Sequence, residues 1–570
     1  KLDDRNPMLS NSYNFKREYA TRSFNTVYAS FDIWKGIKFA STFSYDFVMN
    51  KSRAWKDPRT SDGDDDNGRF SKDYNDITNM TWSNILTYQT KIKKKHNLDL
   101  LVGYEINSKE SDGLGTTISN FARWDKPEVN NGVVYQSMGG SNSTTRIVSY
   151  ITRANYDYDN KYYLGASWRT DGSSRLAREN RWGNFWSLSG AWRVSSESFM
   201  KPLQNWLSDL KLRVSYGVNG TLPSSYYGYM GLSSLTSNYN DNPGITQSQL
   251  ENKELTWETN YNFNSGIDLG FFDNRLNVTF EYYVRTTKNL LYSRPLSLAT
   301  GFSSYLANIG KLQNKGYELE IRSTNIETKD FRWSTSLNLG HNANKILKLD
   351  GDLKQVTSGT SIHKVDLPYS TYYMIEFAGI DPADGEPMFY KNTTDENGNL
   401  NKETTKDPRS AEKVILQCAD PTITGGLGNS ISYKWFDLNF NVNFSFGAWN
   451  YDGSASKLEH GGDGTLNIPI YYRKRWQKEG DETSIERFVV GRSISMTDYA
   501  TTRRLYSGDY VRLKNLTFGF TLPKTWTRKV GIDNIRLYAS GNNLLTWAAY
   551  DYIDPESGSS PSWDTPPMRT

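Results

Sequence analysis

The sequence predicts an all-β chain, the wall of a transmembrane antiparallel β-barrel, and three observations lead there. Long runs alternate strictly between apolar and polar residues, short connections alternate with long ones, and aromatics are abundant beside few aliphatics. The clearest alternating run sets Phe436, Leu438, Phe440, Val442, Phe444 and Phe446 against Asp437, Asn439, Asn441, Asn443, Ser445 and Gly447. Successive strand side chains point to opposite faces, so such a run has one face in an apolar medium and the other in water.

Taken in order, strands are expected at 24–33, 37–48, 81–91, 96–106, 146–156, 161–170, 184–194, 208–218, 258–271, 275–286, 315–324, 331–340, 426–434, 436–447, 510–522 and 533–544. Several carry the pattern openly. In 208–218, Leu210, Leu212, Val214 and Tyr216 oppose Lys211, Arg213 and Ser215. In 258–271, Tyr261, Phe263, Ile267, Leu269 and Phe271 oppose Asn262, Asn264, Gly266, Asp268 and Gly270, and 275–286 and 331–340 read the same way. A tilted strand needs about 9–11 residues to cross a bilayer, whereas strands of soluble sheets stop at about 5–6. Length and alternation together place these strands in a membrane.

The connections are a second signal. Short ones at 34–36, 92–95, 157–160, 272–274, 325–330, 434–435 and 523–532 alternate with long ones at 49–80, 107–145, 171–183, 219–257, 287–314, 341–425 and 448–509, with 195–207 intermediate. Bacterial outer-membrane barrels put short turns in the periplasm and long loops outside. On that polarity strand 24–33 runs downward and 533–544 upward. Unpaired edges are forbidden in lipid, so closure would take a further strand after Thr570 and an odd number before Lys1. Residues 1–570 are therefore expected to be a partial barrel domain, with the last strand outside this sequence.

Composition fits. The chain has 570 residues, 14% aromatic, with 38 Tyr, 25 Phe and 17 Trp, and a mean hydropathy of -0.69. A soluble reading would need several domains, and no linker or shift of composition divides the chain. No apolar run approaches the ~18 residues of a membrane helix. One cysteine, Cys418, excludes a disulfide framework, and a net charge of +4 gives no reason to expect nucleic acid.

Several phrases, in order, resemble the SusC/RagA family of TonB-dependent outer-membrane transporters of Bacteroidetes. They include Arg153-Ala-Asn-Tyr-Asp-Tyr158, Trp168-Arg-Thr-Asp-Gly-Ser-Ser-Arg175, Leu210-Lys-Leu-Arg-Val-Ser-Tyr-Gly217, Leu255-Thr-Trp-Glu-Thr259, Asn314-Lys-Gly-Tyr-Glu318, Gly379-Ile-Asp-Pro382, Tyr510-Val-Arg-Leu-Lys-Asn-Leu516, Ser540-Gly-Asn-Asn-Leu544 and Asp554-Pro-Glu556. The resemblance implies a 22-stranded barrel, a size the plugged outer-membrane transporters reach, of which about 16 strands are visible. It also implies a plug domain, a TonB box upstream, a SusD-like surface lipoprotein acting as lid, and import of an oligosaccharide or, as an alternative, a peptide. A receptor or adhesin without transport and a barrel enzyme are the readings from other classes. The enzyme reading predicts an acid/base or Ser/His cluster, which the sequence does not display.

Candidate sites are few. Trp124, Trp449, Tyr451 and Trp563 lie in predicted loops, where aromatic faces stack on the C–H faces of sugars; packing within the loops is the bland alternative. Arg153, Arg169, Arg193 and Arg213 occupy polar strand faces and are expected to line the lumen and meet plug carboxylates. Asp62, Asp64, Asp66 and Asp73 offer alternating oxygen ligands as in a calcium loop, against the alternative of a solvated acidic turn. His96, His341, His363 and His460 lack metal-ligand spacing, and no catalytic or nucleotide-binding motif is present. No resident cofactor is expected beyond that calcium. The remaining partner is outer-membrane lipid.

Overall fold

The computed structural model describes residues 7–240, 242–349, 351, 353–453, 455, 459–462, 468–490, 498–550 and 554–557. Sixteen strands hydrogen-bond as one sheet in the order in which the chain makes them. They are β1 (Phe15–Trp34), β2 (Ile37–Lys56), β3 (Arg69–Ile92), β4 (His96–Phe121), β5 (Gly132–Tyr158), β6 (Tyr162–Ser173), β7 (Trp182–Arg193), β8 (Leu207–Thr221), β9 (Glu258–Phe271), β10 (Leu276–Lys288), β11 (Lys311–Glu327), β12 (Phe331–Lys348), β13 (Ile423–Tyr433), β14 (Phe436–Phe446), β15 (Tyr510–Thr521) and β16 (Arg536–Ala548). All sixteen strands expected from alternation are present. Among the described residues no helix is long and apolar enough to cross a membrane.

Five early strands are longer than alternation indicates. β1 begins at Phe15, β2 runs on to Lys56, β3 begins at Arg69, β4 extends to Phe121 and β5 begins at Gly132. The expected long loops 49–80 and 107–145 thereby shrink to 57–68 and 122–131. The cause is environmental. In these extensions Asp76 pairs with Asp112, Thr78 with Glu110 and Asn75 with Gly113, so both faces are polar and the period-two signal disappears while the ladder continues.

The chain divides into two compact units, one of Lys1–Gly190, Ser215–Tyr261 and Thr287–Ile309, the other of Ala191–Val214, Asn262–Thr286 and Gly310–Thr570. In the first, Phe43, Trp82, Ile106 and Val148 stand opposite one another across β2 to β5. On that face Trp82 is 47%, Val102 57% and Leu164 62% exposed. A water-soluble protein does not leave so broad an apolar face uncovered; lipid covers it. In the second, the apolar row Ile321, Leu337, Leu427, Val442, Leu513 and Leu545 crosses β11 to β16.

Each unit has small packed clusters where its loops meet the wall strands. Leu176, Phe185, Leu255 and Trp257 bury one another in the first unit, and Val194, Met200 and Leu207 do so in the second. The tight turns use left-handed backbone, at Gly36, Lys93, Lys94, Asp159, Asn160, Phe272, Asp273, Asn274 and Lys434. All of these fall in the short connections, as close reversal of a twisted hairpin requires. Next to them an aromatic row, Phe331, Tyr433, Phe436 and Phe520, runs strand to strand, the girdle expected where a barrel meets the interface.

Candidate functional site

The polar face opposite the apolar rows is built from small hydrogen-bonding residues. In the second unit one row reads Glu320, Asn338, Gly426, Asn443, Arg512 and Thr546, and the next reads Arg322, Ser336, Gly428, Asn441 and Asn515. Glycines where side chains would otherwise crowd keep this face low. A Cβ on Gly428 would stand 2.6 Å from Ser336 Oγ and 2.8 Å from Asn441 Oδ1. A cavity of about 700 Å3 opens here, lined by Glu281, Glu318, Glu320, Asn338, Asn443 and Tyr510 among others. Such a surface hydrates readily and presents amides, hydroxyls and carboxylates, with Leu319, Leu339 and Phe444 also bordering the cavity.

The four arginines all find carboxylates within the wall. Arg153 donates to Asp99 at 3.2 Å, and Arg169 donates to Asp171 at 2.7 Å and to Ser149 at 2.8 Å. Arg213 donates to both oxygens of Asp268, at 2.8 and 2.9 Å, and to Glu281 at 2.7 Å, tying β8, β9 and β10 together. Arg193 is looser, 3.8 Å from Asp209, and its buried Nε has no hydrogen-bond partner among the described residues.

The loop residues separate. Trp124 is exposed, with the Arg59 guanidinium 5.8 Å from its ring centroid. Trp449 and Tyr451 lie on a three-residue strand, Trp449–Tyr451, paired with Leu505–Ser507. The Tyr451 N–H donates to Tyr372 Oη, and burial pushes the Tyr451 phenol up. Trp563 lies outside the described residues. Asp62 accepts from Asn14 Nδ2, Asp66 pairs with Arg69, and Asp73 stands on β3 opposite Gly115. Among the described residues no group of three or more His, Cys, Asp or Glu side chains is placed to hold a metal ion.

Sequence reasoning missed a buried ionic cluster within the loop 447–509. Arg503 pairs with Glu486, Arg504 with Glu459 at 3.2 Å, Tyr471 donates to Glu459, and Tyr472 donates to Glu486 at 3.2 Å. Glu486 is wholly buried. Burial opposes the charge on Arg503, yet Glu486 beside it holds the guanidinium above its ordinary value. Burial, then the Glu459 carboxylate, raises Tyr471. The same loop is fastened to 349–422: Thr502 Oγ1 accepts from the Phe377 N–H, Arg487 donates to Glu386 at 2.7 Å, and Trp476 donates to the Pro382 carbonyl. The adjacent basic pair Arg503-Arg504 was the available signal; its partners, 17 to 45 residues away, were not.

The family model for the TonB-dependent receptor-like β-barrel matches residues 2–544. The chain belongs to the TonB-dependent receptor β-barrel family. Within it the chain is of SusC/RagA type, an outer-membrane protein. It is 32% identical over 556 residues to TonB-dependent receptor P3 of Formosa agariphila, covering 93% of this chain and 54% of that one. It is 30% identical to TonB-dependent receptor SusC of Bacteroides thetaiotaomicron, covering 72% of this chain and 41% of that one. Among solved structures, the RagAB peptide transporter superposes with a TM-score of 0.87 at 27% identity, over 97% of this chain and 61% of that chain. The chain spans about half the length of the curated relatives it matches.

Proposed function

We propose that this wall belongs to a TonB-dependent active importer that carries an oligosaccharide across the outer membrane, capped by a SusD-like lipoprotein. The observation that carries the reading is the polar face itself. Its rows of Asn, Ser and Gly, with carboxylates and arginines largely neutralising one another, suit a neutral, hydroxyl-rich cargo that exchanges hydrogen bonds with water and wall alike. In this reading the plug rests against the same face. Arg153, Arg169, Arg193 and Arg213 meet it with whatever donors their wall carboxylates leave over, and TonB pulls the plug through a segment upstream.

A second reading, peptide import, is favoured by the likeness to the RagAB peptide transporter. Calorimetry on the full-length protein with its lid decides between them. Binding of glycans but not of di- to oligopeptides is the expected result; peptide binding without glycan binding overturns the cargo assignment. A receptor without transport is distinguished by uptake of labelled cargo in cells. Uptake should vanish when TonB is deleted, and uptake indifferent to TonB overturns the importer reading.

A further inference from the structure

We propose, on the importer reading above, that Asp554 and Glu556 set the charge selectivity of the passage. From within the chain they fill an anion site that Arg512 and Lys514 build on the polar face, and so turn acidic cargo away. Arg512 stands two residues past Tyr510, where β15 leaves the long loop. Its neighbours in the row, Asn443 and Thr546, are neutral, and Asn443 and Tyr510 border the cavity.

The site is shaped for carboxylates. Arg512 Nε donates to Thr546 Oγ1 at 3.0 Å, which fixes the guanidinium and leaves its terminal nitrogens for anions. Nη2 donates to Asp554 at 2.6 Å and Nη1 to Glu556 at 2.7 Å, and Lys514 Nζ reaches the same Glu556 oxygen at 2.6 Å. Lys514 sits in a β-bulge: Val442 pairs with Leu513 and Asn441 with Asn515, so no residue of β14 stands opposite it. Bulges re-aim side chains in this way, and a planar fork beside a point charge suits a carboxylate. The Arg512 side chain is only 2% exposed. A cation so buried is costly without a counter-ion, so the unmasked pair would draw anions from water.

The occupant is preorganised. Asp554 Oδ1 also accepts from the Glu556 N–H at 2.9 Å, and Pro555 between them has a fixed φ, so both carboxylates are presented together on the short turn Pro555–Ser557. They follow closely on β16, which ends at Ala548. That short tether gives them a high effective concentration, against which a free carboxylate competes poorly. Arg213 is covered in the same way by Asp268 and Glu281, and Arg322 by Glu320. Two cations meeting two carboxylates leave no spare positive charge at this end of the face. A uronate-bearing oligosaccharide finds nothing to replace the water it gives up, whereas a neutral one carries no charge to desolvate.

A charge-reading label on the full-length protein in native outer membranes tests this without any cargo. The reporter is Asn443→Cys, beside Arg512 in the row, in a Cys418→Ser background. Its rates with an anionic and a cationic thiosulfonate are compared at low salt. Asp554→Asn with Glu556→Gln should raise the anionic-to-cationic rate ratio several-fold, and added salt should flatten the rise. Arg512→Gln and Lys514→Gln in addition should return the ratio to the parent value. A ratio unchanged by the double substitution overturns the proposal, as do two rates that rise by the same factor, the mark of a strap that only covers the wall. Calorimetry gives a second readout: the double variant should bind trigalacturonate and the parent should not. Equal binding by the two proteins, or none by either, overturns the assigned selectivity. Uptake indifferent to TonB would overturn the importer reading and leave the rate ratio as it is, so the two failures are told apart.

Discussion

Arg213 offers the sharpest energetic test of the polar face as a working wall. Its guanidinium makes three charge-assisted hydrogen bonds of 2.7–2.9 Å to Asp268 and Glu281. Gly266 leaves it room, since a Cβ there would stand 3.1 Å from Arg213 Nη2. Buried bonds of this type contribute about 1.5–3 kcal/mol each. Here the three side chains are 30–38% exposed, and solvent screening reduces the sum to about 1–2 kcal/mol. Arg213→Ala also leaves two carboxylates facing each other without their shared cation. Guanidinium unfolding of the full-length protein in micelles should show a loss of about 1–2 kcal/mol. Arg213→Lys should recover part of it, because lysine cannot make the two-pronged contact. Adding Asp268→Asn and Glu281→Gln to Arg213→Ala should also recover part, because the repulsion is gone. A triple variant no more stable than Arg213→Ala alone, or an Arg213→Ala variant indistinguishable from the parent, refutes the reasoning.

Other outcomes follow from single positions. Gly316 lets Tyr283 pass over β11 to donate to Asn342, and a Cβ there would lie 2.0 Å from the His341 carbonyl oxygen and 2.7 Å from Tyr283 Oη. Gly316→Ala should cost about 1–3 kcal/mol by overpacking, read as a lower unfolding midpoint, and Gly340→Ala, whose nearest contact is 3.6 Å, should cost far less. Glu486→Gln removes the countercharge of a buried pair, which costs about 3–5 kcal/mol. Limited proteolysis should then cut within 459–504 while the wall strands stay intact; an unchanged cleavage pattern speaks against the cluster as the fastener of this loop. Burial pushes the His363 imidazole below its ordinary value, so the folded loop refuses a proton that the opened loop accepts. Its contribution is complete above about pH 6.5 and is lost as pH falls through that value towards the depressed one. Hydrogen exchange at 355–364 should therefore quicken on acidification, and His363→Gln should abolish that dependence.

What the residues disclosed in advance follows from how environments differ. Strands with lipid on one face and water on the other, such as 436–447, announce themselves by alternation, and all sixteen were visible on that ground. The outward extensions of β2 to β5 were not, because Asp76, Thr78, Glu110 and Asp112 lie on the lipid-side face after it has left the lipid. The short loop strands around 355–418 carry too few residues for any period. The arginines were legible as polar-face residues, but Asp268 and Glu281, 55 and 68 residues from Arg213, were not. The Glu459, Glu486, Arg503 and Arg504 cluster was hidden for the same reason: a loop brings together residues that no spacing connects.

A cysteine scan across one row tests the two-faced wall most directly. Leu337, Leu427 and Val442 form part of one apolar row, and their chain neighbours Asn338, Gly426 and Asn443 part of one polar row. Single cysteines at each, in full-length Cys418→Ser protein in native outer membranes, are treated with a small charged thiosulfonate. Asn338→Cys, Gly426→Cys and Asn443→Cys should react, and Leu337→Cys, Leu427→Cys and Val442→Cys should stay silent. Neighbours that label alike, or silence on the polar row with reaction on the apolar one, would contradict a wall with lipid on one side and a watered passage on the other.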